Sequence, residues 1–245
     1  MKINHLLKTY PRRRQKLNSE YNKIYKKFYN NHLNKKNLIS LLIKNAEHIF
    51  HKLTYEAKRE NSKILELGAG NLDHVKYEKF IKYDVVEPEK KYYIKNKKAL
   101  KKVNKIYKSI FSIANKKKYD KIIAIATLDV IDDLPKFLSK IGILMNKNSS
   151  FCIGNSTIGS LSFYLTWRFT SGLYFFLKYR KNLRILKEHE SVNKYDEIVK
   201  LLRYYFKSVE IKMLPNLLYL YKPACFIKVK KPDLKKCKKI FNNLN

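Results

Sequence analysis

The sequence predicts an α/β protein with a mostly parallel sheet, and three observations carry that expectation. From Lys63 onward, short β-rich runs alternate with helical stretches, the pattern of a parallel sheet covered by helices on both faces. One run, Lys63-Ile64-Leu65-Glu66-Leu67-Gly68-Ala69-Gly70, ends in two glycines one residue apart, so a buried strand delivers bare backbone to a sharp turn. The last two runs are joined by a short connection punctuated by Pro215 and Pro223, which marks them off as a final strand pair.

Residues 1–60 read as a helical N-terminal extension packed on the core. It carries Arg12, Arg13 and Arg14, then Tyr21, Tyr25 and Tyr29, spaced four apart on one helix face. That interleaving suits binding to phosphates and bases, and equally an ordinary packing helix with solvated charges. Farther on, Leu38, Leu42, Ala46, Ile49 and Leu53 recur at helical spacing and predict an apolar stripe against the main body.

The main domain spans 61–230. A strand at 64–67 leads to a helical segment at 75–81, and a strand at 83–86 closes on Glu87-Pro88. A lysine-rich helix at 90–100 and a third strand at 103–107 come next, then a loop at 109–119 and a buried strand at 121–126. A helix at 134–144 passes through Asn146-Lys147-Asn148 to a fifth strand at 150–153. Residues 157–190 break the rhythm with an apolar, aromatic insertion, expected to be a lid or substrate-binding element. Arg168 and several Gly, Ser and Thr residues argue against a membrane span, although aromatics followed by Lys178, Arg180, Lys181 and Arg184 also suit a membrane surface. Asn193 is expected to N-cap a helix whose first turn holds Asp196 and Glu197 and whose stripe is Ile198, Leu201, Leu202, Tyr205 and Phe206. Strands at 209–213 and 224–229 end the domain, and 231–245 reads as a basic tail.

The formal charge of +34, from 54 basic and 20 acidic residues in 245, invites a polyanionic partner. Lysine is nevertheless spread along the whole chain together with Asn, Ile and Tyr, as a genome-wide composition bias would leave it. Three scattered cysteines, with no pairing at metal-ligand spacing, exclude a structural zinc site and point to a reducing compartment; no metal is expected. The first residues lack an apolar h-region, so the expected location is cytoplasmic, with peripheral contact at the inner face of a membrane left open.

In an open α/β sheet, ligands sit beyond the carboxyl ends of the strands near the first glycine turn. Glu87, ending the second strand, can accept both hydroxyls of a ribose. That much suits a dinucleotide too, but the third glycine of GxGxxG is replaced by Asp73, and with Glu66 two carboxylates flank the turn. Such a site favours a sulfonium and ammonium ligand over a pyrophosphate.

From 63 to 229 the chain resembles class I S-adenosylmethionine-dependent methyltransferases. The resemblance rests on Glu66-Leu67-Gly68-Ala69-Gly70, on Val85-Val86-Glu87-Pro88, and on Tyr119-Asp120-Lys121-Ile122-Ile123. It implies a Rossmann-like, doubly wound seven-stranded sheet with an antiparallel last strand, and S-adenosyl-L-methionine as cofactor. Cofactor contacts carried over are Glu66, Gly68, Gly70, Asp73, Glu87, Pro88, Ser109, Ile110, Ala126, Thr127 and Leu128; Ser109 stands where the family often has Asp. His189 and Asp129 are the candidate catalytic groups, and His74 is a candidate for covering the cofactor. Trp167-Arg168 and His189-Glu190-Ser191-Val192-Asn193 are also similar to a bacterial branch associated with surface-polysaccharide synthesis, which makes Trp167, Arg168 and Asn193 candidate substrate contacts. The implied activity is in-line methyl transfer to a small-molecule, glycan or lipid-linked acceptor. The alternatives are an RNA methyltransferase using the basic N-terminal helices, and a non-catalytic cofactor-binding or membrane-associated protein.

Overall fold

Strands buried on both faces need continuous apolar runs, and the central strands have them. In β1 (Lys63–Leu67), β2 (Lys82–Val86) and β4 (Tyr119–Ile125) nearly every residue is buried. The computed structural model describes residues 3–33, 48–55, 62–79, 81–214 and 222–243. Its seven strands lie in the order β3-β2-β1-β4-β5-β7-β6, with β3 at Lys105–Tyr107, β5 at Met145–Ser156, β6 at Phe206–Leu214 and β7 at Ala224–Pro232. β1 to β5 pair in parallel, while β7 runs antiparallel to both β5 and β6. The chain order reverses between β1 and β4, so the crevice beyond their carboxyl ends lies where ligands bind in such sheets.

The helices are α1 (Ile3–Lys8), α2 (Ser19–Leu33), α3 (Leu134–Leu144), α4 (Leu161–Trp167), α5 (Leu173–Tyr179), α6 (Arg184–Glu190), α7 (Tyr195–Tyr205) and α8 (Leu234–Asn243). One face of the sheet buries Leu65, Leu67, Ile122, Phe151 and Ile153 against α1, α3, α7 and α8. The other buries Ile64, Tyr83, Val85 and Ile123 under Ala69, Leu72 and Val75. A third, smaller cluster joins Tyr21 of α2 to Phe175, Leu183 and Leu186 of the insertion.

Several expectations are corrected. After the glycine turn there is a single 3-10 turn, Val75–Tyr77, in place of a helix. The lysine-rich helix is two short turns, Lys90–Tyr93 and Lys97–Leu100, because Asn96 caps the second through its side chain to the Ala99 N–H. β5 begins earlier than expected, at Met145, but its pairing with β4 jumps from Met145 to Ser150, so Asn146-Lys147-Asn148 interrupts the regular ladder. The N-cap of α7 is Lys194, whose N–H is accepted by the Glu197 carboxylate. In the N-terminal extension Phe50 and Thr54 are buried and Ile49 is exposed; Leu38, Leu42 and Ala46 lie outside the described residues.

The residues expected to form a basic tail extend β7 to Pro232 and then form α8, whose Cys237 is fully buried against α3. Charge disguised this element, since its lysines sit on the solvent face of an amphipathic helix. A β-carbon on Gly142 of α3 would lie 2.5 Å from Cys237 Sγ, so α8 packs directly on bare backbone. Gly142→Ala is therefore expected to cost about 1–3 kcal/mol in urea denaturation. Adding Cys237→Ala should recover most of that loss, and strict additivity of the two would contradict the packing.

Candidate active site

The parallel register of β2, β1 and β4 brings three loop beginnings together at one edge. Gly68 (φ +65°) turns the chain out of β1, and its N–H is bonded to the Val86 carbonyl at 2.9 Å. A β-carbon there would approach Thr127 Oγ1 to 2.6 Å, so the β1 turn and the β4 turn are in contact. Thr127 is buried and donates its hydroxyl to the carbonyls of Leu67 and Ile125, at 3.1 and 2.9 Å. Gly70 (φ +50°) has open space where a β-carbon would be, and its N–H donates to Glu87 Oε2 at 2.8 Å. The other oxygen, Oε1, accepts the Glu89 N–H at 3.0 Å. Glu87 is thus buried with both oxygens pinned by backbone amides.

Glu66 differs from expectation. It lies beneath the turn, almost fully buried, and accepts the Tyr83 hydroxyl at 2.9 Å. Burial pushes its carboxyl up to about 8, with the Tyr83 hydrogen bond pulling the other way. At neutral pH it presents no full charge at the mouth of the turn. Asp73 is half-buried and accepts the Asn71 amide at 3.2 Å. Pro88 is exposed beside Glu87. Ser109 caps a 3-10 turn by accepting the Phe111 N–H, while Ile110 is buried in the main core.

Beyond β4, Ala126 adopts φ +50° and is exposed, and Leu128 is in the core. Asp129 follows, nearly buried, with Oδ2 accepting the Ser191 hydroxyl at 3.1 Å and Oδ1 without a hydrogen-bond partner. Burial raises its carboxyl above the usual range, while the Ser191 hydrogen bond and the Lys187 charge oppose that shift. His189 presents Nδ1 to the Gln15 carbonyl and its ring edge to Tyr25. Because a carbonyl only accepts, the proton sits on Nδ1 and leaves Nε2 as the basic nitrogen.

Asn193, expected to contact substrate, does not. It is fully buried, its amide donates to the carbonyls of Leu128 and Ile131 at 2.8 and 2.7 Å, and its oxygen accepts the Tyr10 hydroxyl at 2.7 Å. His74 is likewise consumed. It is buried between His51 (2.9 Å) and Glu78 (2.9 Å), whose carboxylate also meets Lys121 at 2.6 Å. Burial holds both histidines below their ordinary value, His51 at about 3. Arg168 is exposed and bonded to the Tyr164 hydroxyl; the side chain of Trp167 lies outside the described residues.

Sequence reasoning missed the strap formed by residues 9–15. Arg12 forms a two-pronged pair with Glu197 at 2.8 Å for each contact, and its N–H donates to the Asp132 carbonyl. Arg14 reaches Asp132 and the Val130 carbonyl. The arginines stood out in the sequence, but partners more than a hundred residues away did not. An open cavity of about 470 Å³ lies beside the strap, lined by Arg12, Arg13, Gln15, Glu188, Ser191 and Lys194 among others.

No family model and no curated protein sequence matches this chain. Solved structures do. A magnesium protoporphyrin IX methyltransferase from Synechocystis PCC 6803 with bound SAH superposes with a TM-score of 0.55 at 12% identity, over 80% of this chain and 88% of that one. The plantazolicin methyltransferase BpumL, in complex with a pentazolic desmethylPZN analog and SAH, gives 0.58 at 15% over 84% and 90%. The N-methyltransferase NodS from Bradyrhizobium japonicum WM9 gives 0.53 at 10% over 78% and 97%. At these identities the likeness is one of fold, and the fold is that of the class I methyltransferases.

Two outcomes check the site. In urea melts, stability should fall as pH rises from about 4.5 to about 8, because the unfolded chain sheds the Glu66 proton first and the folded one holds it. Glu66→Gln should flatten that component, and an unchanged slope would refute the buried, protonated carboxyl. Asn193→Ala should cost about 3 kcal/mol by leaving two carbonyls and the Tyr10 hydroxyl unpaired.

Proposed function

We propose that this protein is an S-adenosylmethionine-dependent methyltransferase acting on a small-molecule, glycan or lipid-linked acceptor. The observation that carries this reading is Glu87, a buried carboxylate fixed by two backbone amides beside the open, glycine-lined turn. Its remaining lone pairs suit the vicinal hydroxyls of a ribose, and orienting them costs nothing when a ligand arrives. Asp73, in the place of a third glycine, disfavours a pyrophosphate on the same turn. The residues therefore fit the cofactor, with Gly68, Gly70 and Glu87 to hold it and Ala126 to Leu128 beside them. The fold neighbours crystallised with SAH support the same ligand.

When bound, the cofactor supplies an electrophilic methyl group on a sulfonium. What remains for the protein is positional, namely holding the acceptor in line and keeping water out. Asp129 is assigned here to the acceptor side. Its unpartnered Oδ1 can take an acceptor proton, burial makes it a stronger base than an exposed aspartate, and Ser191 fixes its orientation. His189 Nε2 is a second base on the neighbouring α6. Neighbours named for magnesium protoporphyrin IX and plantazolicin support an acceptor of small-molecule size. The RNA reading loses part of its motivation, since Arg12 is held in a partly buried pair with Glu197 and Arg14 is paired with Asp132 at the surface.

Isothermal calorimetry with SAH tests this directly. Glu87→Ala should weaken binding by about 10- to 100-fold. Asp129→Asn should leave it within about twofold while lowering turnover on an identified acceptor by roughly a hundredfold. SAH binding that is absent, or indifferent to Glu87→Ala, would overturn the proposal.

A further inference from the structure

The insertion carries a feature that methyl transfer does not use. Leu161, Tyr164, Phe169, Leu173, Phe176 and Leu177 are each 40% to 72% exposed, in a run of only 17 residues. Large exposed apolar patches on a soluble protein mark an interaction surface. Here the backbone organises the patch. At about 100° per residue an uninterrupted helix would spread these six side chains over about 220°. The π turn at Arg168–Gly172 joins α4 to α5 and accommodates one extra residue. It rotates α5 back by about 100° relative to α4, which gathers all six onto one face about 120° wide. Phe175 points the opposite way, fully buried with Tyr21, Leu183 and Leu186. The helical run is thus anchored on one side and apolar on the other.

The charge around this face selects the occupant. Between Asp133 and Glu188 there is no acidic residue, while Arg168, Lys178 and Arg180 lie within or just beyond the apolar run; Lys181 and Arg184, next to them, are paired with Glu20 and Glu188. Arg168, Lys178 and Arg180 stand exposed, held against aromatic rings or hydroxyls of the same segment. A second copy of the chain would bring the same cations face to face across an isologous contact, which disfavours self-association. An anionic lipid surface matches both properties, taking the apolar side chains between its headgroups and pairing with the cations. No helix among the described residues is long and apolar enough to cross a membrane, in keeping with a surface-lying element.

We propose that the Leu161–Leu177 face docks this protein onto an anionic bilayer. The element leaves the sheet at the end of β5, the same edge as the glycine turn, so docking turns the candidate site toward the lipid. The proposal is independent of the enzymatic reading.

The test is co-sedimentation of the full chain with vesicles of phosphatidylcholine alone and of phosphatidylcholine with phosphatidylglycerol. Binding is expected to the anionic vesicles. The double variant Phe169→Asp and Phe176→Asp should bind at least about tenfold more weakly, with an unchanged circular dichroism spectrum and melting temperature. A milder pair, Phe169→Ser and Phe176→Ser, should weaken binding in the same direction. Lack of binding to anionic vesicles would overturn the proposal. So would binding that salt abolishes and both variants leave intact, which would assign the attraction to net charge alone. Concentration-dependent self-association in light scattering, removed by the same variants without any vesicle binding, would instead make the face a contact between copies.

Discussion

Everything at the functional edge depends on how closely the turn after β1 approaches the turn after β4. With a β-carbon at residue 68 the two would collide at Thr127, and Thr127 would lose its place above the end of β1. Parallel pairing alone sets the strands about 4.8 Å apart, but it does not decide where their loops go. The bare backbone at Gly68 decides that. It lets Gly70 swing over β2, where its amide finds Glu87, and it leaves the segment after Thr127 to run outward to Asp129. The positions of the Glu87 and Asp129 carboxylates are set by a single close contact.

The surroundings of Asp129 are closed by segments far apart in sequence. Asp129 accepts the main-chain N–H groups of Val192 and Asn193 at its own carbonyl, and Asn193 ties Leu128 and Ile131 to Tyr10. The strap then crosses to Glu197 through Arg12. This pair is half-buried and two-pronged, a geometry in which an ion pair contributes more than an exposed one does. The described part of the N-terminal extension is therefore built into the surroundings of Asp129, and α2 continues the contact by packing Tyr21 on the insertion.

Local physics dictated the features that were legible in the sequence. The glycine turn, the acidic end of β2, the strand alternation and the edge pair were all readable, because period-two burial and missing β-carbons leave marks within a few residues. Three things were not. Asn193 looked like a helix cap because caps are made of such residues, yet its partners lie some sixty and a hundred and eighty residues away. Glu66 looked like a charge at the turn, but only the register with β2 reveals Tyr83 beside it. The α8 segment looked like a tail because lysines are as numerous as apolar residues there, and only the packing on Gly142 shows its buried side.

The same long-range contacts change the meaning of the net charge. Glu66, Asp84, Glu87 and Asp129 are buried, each with at least one partner, and Glu78 is shared by His74 and Lys121 inside the protein. Acidic residues are scarce in this chain, and those five are spent in the interior, so the surface is more positive than the composition alone implies. A uniform positive surface attracts any polyanion without choosing among them. Choice requires a second property that only some polyanions can meet. Arg12 and Arg14 are paired with Glu197 and Asp132, whereas Arg168, Lys178 and Arg180 border an exposed apolar face. Apolar area gains nothing from a phosphate backbone but a great deal from lipid, and that difference is the physical basis of the proposed docking of this face on a bilayer.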